Sequence, residues 1–320
     1  MRKTPLCLAC LLCFFTALCS PTALLGQAWT MPRGEHFLKV TGSSITAANQ
    51  FSFDGRTLDF ANGVSGNAFR DESLYLYGEL GLFNNLTVVL SLPYKRTFVQ
   101  DLAFKYETAA LGSGTIGVRL ALLPLFGARP SALSLALNLA TSIPLGYTRN
   151  FAPSAGPGQV DVQASLGLGV SFYPTAAYAQ ISAGYRYRSS LYAFSKAVSC
   201  NVGNDINCIR DLEPTYGNEL IFTADTGIMF LNGMLFFQAL ANGVWSVDEP
   251  VVGFTAINPI PTRQRYIKAG GGFTLYPFRI TRLYGMADLG FGVQYFLTPY
   301  GRNTIESTDL FFGIEYRVRF

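Results

Sequence analysis

The chain ends on a run, Asp309–Phe320, in which apolar and polar positions alternate. Leu310, Phe312, Ile314, Tyr316, Val318 and Phe320 fall on one side; Asp309, Phe311, Gly313, Glu315, Arg317 and Arg319 fall on the other. Successive strand side chains point to opposite faces, so the run predicts a strand with one apolar and one mostly polar face. The pattern recurs upstream. Asp71–Leu82 sets Leu74, Leu76, Leu80 and Leu82 against Ser73, Tyr75, Tyr77 and Glu79. After a tight Asn-rich turn, Leu86–Lys95 sets Leu86, Val88, Leu90, Leu92 and Tyr94 against Thr87, Ser91 and Lys95. Further strand pairs are predicted at Gly114–Leu123 with Leu133–Ile143, Val160–Tyr173 with Tyr178–Ser189, Glu219–Phe230 with Leu235–Trp245, and Arg265–Tyr276 with Leu283–Leu297. Glu35–Ala47 is a weaker first strand and Thr308–Phe320 the last, which makes about twelve.

Short and long connections alternate. The short ones begin near Phe83, Pro124, Pro174, Leu231 and Pro277; the long ones span 48–70, 96–111, 144–158, 190–217 and 247–262, with a smaller one at 298–305. An even strand number with this alternation predicts an all-β fold: an antiparallel up-and-down transmembrane β-barrel with short periplasmic turns and longer extracellular loops. The competing reading of any one segment is an amphipathic edge strand of a soluble sandwich.

Composition favours the barrel. The chain is 49% hydrophobic and 14% aromatic but only 14% charged, against about 25% charge in soluble domains, and its mean hydropathy is +0.26. Beyond the N-terminus no apolar run reaches the roughly 18 residues a spanning helix needs; the nearest, Ile221–Trp245, is broken by Asp225, Asn232, Gly233, Gln238 and Asn242. The net charge of +4 gives no sign of a nucleic-acid partner.

Residues 1–28 read as a cleaved signal peptide: Arg2 and Lys3 ahead of apolar Leu6–Leu18, then Gly26-Gln27-Ala28 as the small-residue site for cleavage before Trp29. Leu18 before Cys19 is too large for a lipoprotein signal. Residues 29–320 are then one barrel domain with a charge of about +2. Cys7, Cys10, Cys13 and Cys19 leave with the signal, and Cys200 and Cys208 are an even pair in an exported chain, which predicts a disulfide in the fourth extracellular loop. Only about six residues, Trp29–Gly34, precede the first strand, so no plug of the long-chain fatty acid transporter kind is expected.

Charges on the lipid face cost roughly 2–4 kcal/mol near midplane, which assigns them to the lumen. The candidate lumen-lining residues are Glu79, Lys95, Arg119, Asp161, Arg186, Arg188, Glu219, Asp225, Lys268, Asp288, Glu315 and Arg317, with Gln163, Asp309 and Arg319 beside them. They either line a solute path or fill a narrow barrel with ion pairs. Tyr75, Tyr77, Tyr173, Tyr178, Tyr266 and Tyr284 are assigned inward, while Tyr94, Tyr185, Tyr187 and Tyr316 read as interfacial girdle. Tyr316, Val318 and Phe320 form the expected assembly signal, read by the barrel-assembly machinery.

Enzyme chemistry has little to build with. His36 is the only histidine, placed at the periplasmic end of the first strand, so neither a Ser-His-Asp set nor a multi-His metal site is expected, and no cofactor is implied. GSGTIG at 112–117 lacks the Lys-Ser/Thr of a phosphate loop and reads as a strand entry.

Several stretches together resemble the outer-membrane family named for a role in the meta-pathway of phenol degradation. They are LYLYGELGLFNNLTVVLSLPY (74–94), GSGTIGVRL (112–120), LNLATSIPLG (137–146), GPGQVDVQASLGLGVSF (156–172) and AQISAGYRYRS (179–189). Thr115 stands where the family's Gly-x-Gly-Asp start has Asp. The resemblance implies a barrel in the bacterial outer membrane, in contact with its lipid, that passes small hydrophobic or aromatic solutes. The alternative is a non-transport barrel acting as a structural or adhesive scaffold through its extracellular loops.

Overall fold

The computed structural model of the chain describes residues 27–59, 68–100, 105–127, 132–200, 208, 213–250, 262–281 and 288–318. They form a sequence of strands: β1 (His36–Phe51), β2 (Thr57–Asp59), β3 (Phe69–Phe83), β4 (Leu86–Gln100), β5 (Lys105–Leu111), β6 (Ser113–Ala121), β7 (Leu133–Pro144), β8 (Asp161–Ser171), β9 (Ala177–Arg188), β10 (Glu219–Phe230), β11 (Leu235–Ser246), β12 (Arg265–Leu275), β13 (Leu289–Arg302) and β14 (Thr304–Val318). Each strand pairs antiparallel with its sequence neighbour in the wall, and β14 pairs back onto β1, from His36 opposite Val318 to Phe51 opposite Thr304. The sheet is thereby closed, and no hydrogen-bonding edge is left open to lipid. β5 and β6 are one stave interrupted at Gly112: β5 pairs the outer part of β4 and β6 the inner part. β2 is a short flap beside β1. The result is a twelve-stranded antiparallel barrel, with one short α-helix among the described residues, Phe278–Thr281, at a periplasmic turn.

The alternation seen in the sequence sets the two faces. Leu38, Val40, Leu74, Leu76, Leu90, Ile116, Leu139, Val162, Leu166, Ile181, Leu220, Phe273, Phe312 and Ile314 point outward and are exposed. A continuous apolar band of that kind is unsustainable in water and requires lipid. Tyr94, Tyr185 and Tyr187 also lie outward and exposed, and Tyr316 is partly buried.

Strands run longer than the alternation predicts. β1 has 16 residues and β3, β4 and β14 have 15, whereas a tilted crossing needs about 9–11. The surplus lies on the long-loop side, where parts of the expected loops 48–70 and 96–111 are themselves strand. The expected connection at 298–305 tightens to a turn at Asn303, whose φ of 50° suits asparagine. The strand expected from Leu283 begins at Leu289; residues 282–287, with Tyr284, lie outside the described residues, as do Arg319 and Phe320 of the assembly signal.

Candidate functional site: the barrel lumen

Charged side chains fill the inner wall in pairs. Lys39 meets Glu315 at 3.2 Å, Lys95 meets Asp71 at 2.9 Å, and Lys268 meets Asp309 at 2.5 Å. Arg186 and Arg188 both hold Glu219, at 2.7 and 2.8 Å, and Arg188 also holds Asp161 at 3.1 Å. These pairs follow register: Lys39 lies opposite Glu315, Asp161 opposite Arg188 and Glu219 opposite Arg186. They therefore run along the wall between adjacent staves, or over one stave as in Lys268–Asp309. Gln163 accepts from Arg186 at 3.2–3.3 Å, and Glu315 accepts from the Tyr276 hydroxyl at 2.5 Å. Arg317 is exposed at the periplasmic rim. Asp288 was expected on a strand's inner face; it lies instead in the turn before β13, where it pairs with Arg279 at 2.8 Å.

Glu79 and Arg119 form the most deeply buried pair, 3.0 Å apart over β4 with both side chains within 5% of full burial. Arg119 reaches further. It donates to Asn138 Oδ1 at 3.1 Å and to the Trp29 carbonyl at 3.0 Å. That last bond belongs to a feature the sequence reading did not anticipate. Residues preceding β1 turn into the lumen as a strap across the periplasmic end. Met31 N donates to Thr87 at 2.7 Å; in the unprocessed chain Ala28 N also donates to Gln180 Oε1 at 2.9 Å and its carbonyl accepts from Ser134 at 2.6 Å. The Trp29 ring packs against Gly169, where an added Cβ would come within 2.5 Å of the indole, so only glycine admits it. The segment is far shorter than a plug, yet six residues of extended chain span roughly 20 Å, enough to cross part of a narrow barrel.

Between the strap and the wall of β8–β11 lies a cavity of about 370 Å³, bounded by Trp29, Met31, Tyr178, Gln180, Asp225 and Gln238. Tyr178 meets Trp29 edge-on at 5.5 Å and stacks on Phe236 at 6.2 Å. Above it on β11, the next inward residue after Gln238 is Leu240. Leu240 joins Tyr75, Phe296 and Phe311 in a buried apolar cluster on the inner wall, with Phe296 edge-on to Phe311 at 5.6 Å. Tyr77 is also buried inward, and Tyr266 lies among the lumen charges, near Arg186, Glu219 and Asp309. Tyr173, by contrast, sits in a periplasmic turn and is 90% exposed.

The outer end is capped by two loops, 145–160 and 189–217, so far as the latter is described. Asn150 is bound twice to the backbone of Val198, at 2.7 and 3.0 Å. Tyr192 donates to Gln159 at 3.1 Å, and Ser195 to the Gly158 carbonyl at 2.6 Å. Gly158 has φ +87°, and a Cβ there would strike Arg149 at 2.4 Å. Cys200 and Cys208 are disulfide-bonded with Cα atoms 5.6 Å apart, within the span such bridges require. Phe151 pairs with Cys208 and Thr148 with Lys196 across the two loops, and the bridge constrains the second loop where it makes these pairings. Burial raises the Tyr147 hydroxyl's pKa, opposed by its bonds to Ser113 and Gly158.

Among the described residues no cluster of His, Cys, Asp or Glu is placed to hold a metal ion. Sequence reasoning missed Trp29, Gln180, Gln238, Leu240 and Phe296. Phe296 hides in Tyr295-Phe296-Leu297, where both neighbours face lipid.

No protein-family model matches the chain, and no curated protein is similar to it in sequence. Its shape does have solved counterparts. The COG4313 outer membrane channel from Pseudomonas putida F1 superposes with a TM-score of 0.67 at 11% identity, over 92% of this chain and 98% of that one. The NanC porin superposes with a TM-score of 0.49 at 8% identity, over 87% and 98%. The first of these matches shows that the chain shares the fold of the COG4313 channel.

Proposed function

We propose that the protein is a channel of the bacterial outer membrane that passes small hydrophobic or aromatic molecules, and that it belongs to the family its segments resemble. The observation that carries this reading is the lumen itself. A cavity of about 370 Å³ is the size of a small-molecule site, and it sits directly below the apolar cluster of Leu240, Phe296, Phe311 and Tyr75. A barrel filled only for stability has no need of an aromatic wall beside an open volume. Met1–Ala28 then serves as the export signal, and the closing strand up to Phe320 as the mark read by the assembly machinery. The lumen residues named above take two roles in this reading: the wall pairs hold the bore's shape, and Arg119 with Glu79 anchors the strap.

The ordered cap of 145–160 and 189–200 supports a second reading, a scaffold that presents its extracellular surface to a partner. Flux separates the two. In vesicles containing lipopolysaccharide, which resist unaided entry of apolar solutes, the channel speeds uptake of a small aromatic such as toluene. A scaffold leaves uptake at the level of empty vesicles.

A further inference from the structure

Among the described residues, the buried carboxylates of the wall have cations beside them with one exception. Asp71, Glu79, Asp161, Glu219 and Asp309 each lie within 3.1 Å of a lysine or arginine. Asp225, only 8% exposed, has no such neighbour among the described residues. Three neutral donors hold it: the Tyr178 hydroxyl at 3.0 and 3.2 Å, Gln180 Nε2 at 2.6 Å and Gln238 Nε2 at 3.0 Å. Withdrawing a carboxylate from water without a counter-charge is costly, and elsewhere in this wall the fold supplies one. At Asp225 it instead fixes the carboxylate's orientation beside the cavity bounded by Trp29 and Tyr178.

We infer that Asp225, Tyr178 and Trp29 form a binding site for small aromatic ammonium ions inside the barrel. The ammonium supplies the missing positive charge at Asp225. The ring and the cation together match the aromatic wall, since a cation over an indole or phenol face is attracted by the ring quadrupole. An inorganic divalent ion fits poorly, because one carboxylate offers too few anionic ligands. Arg317 lines the same cavity from the rim and opposes the bound cation, so its removal strengthens binding. The site deepens the channel reading and rests on it for passage, though not for binding.

The test is benzylammonium chloride titrated at constant ionic strength into the detergent-solubilised protein carrying W245F, with Trp29 emission as the readout. The expected result is a saturable change that benzyl alcohol, the neutral isostere, does not produce over the same range. D225N should weaken binding at least tenfold, and R317Q should tighten it severalfold, both in protein that keeps wild-type heat-modifiable gel mobility. Equal binding of the ammonium and the alcohol overturns the proposal, and that comparison needs no variant. So does unchanged affinity in folded D225N. Absence of any saturable signal also overturns it: cleavage before Trp29 places the chain's own α-ammonium on the strap, and neutralisation of Asp225 by that group gives this result. Saturable binding without any transmembrane flux leaves the site intact and refutes the channel reading instead.

Discussion

Replacing Arg119 with methionine removes the charge that neutralises Glu79 while keeping most of the side chain's bulk. The two side chains are 1% and 5% exposed, so little water reaches the pair to take the guanidinium's place. Glu79 is left with the hydroxyl of Tyr77, and the Trp29 carbonyl loses its donor. Breaking one side of a buried pair costs about 3–5 kcal/mol, whereas replacing both partners with neutral groups is often close to neutral. R119M should therefore destabilise the barrel by about 3–5 kcal/mol, and E79Q/R119M should recover most of that loss. Urea titration of protein folded into lipid vesicles, followed by tryptophan emission and gel mobility, measures both. A loss below about 1 kcal/mol in R119M refutes the assignment, and so does a double variant no more stable than the single.

Reduction of Cys200–Cys208 should leave the barrel folded but loosen the cap. Closing so short a loop is worth about 2.5 kcal/mol in the chain-entropy model, and faster proteolysis within 189–217 under reducing conditions is the check. N150A removes both bonds to Val198 and should cost about 1–3 kcal/mol, seen as faster amide exchange at Val198 with unchanged exchange in β8. F296A opens the apolar cluster around a fully buried ring and should cost about 3–5 kcal/mol; a cost under 1 kcal/mol in vesicle unfolding contradicts its placement in that cluster.

The staves were legible because lipid enforces the code. An outward charge is so costly that Leu74, Leu76 and Leu90 had to alternate with Tyr75, Tyr77 and Ser91, and every predicted strand has a counterpart in the wall. Their extracellular extensions were not legible, since above the bilayer both faces meet water or loops and the alternation loses its cause. Inside the lumen the code is weaker still. A bore can hold Phe296 and Leu240 as readily as Arg119, so an inward apolar residue carries no mark in the sequence that sets it apart from a lipid-facing one. Which acid lacks a cation depends on register and stave order: Asp225 and Asp161 look alike in the sequence, yet only Asp161 lies opposite an arginine. The strap has no period at all. Its bonds join Met31 to Thr87 and Arg119 to Trp29, partners 56 and 90 residues apart.

Ion conductance across a planar bilayer tests the central claim most directly, with wild type and R119M measured side by side. The account predicts small, discrete conductance steps in wild type, set by the bore left between the strap and β8–β11, and larger steps in R119M, whose strap has lost its anchor. Silent bilayers for both proteins, with insertion verified by protease protection, contradict a channel and leave the barrel a scaffold.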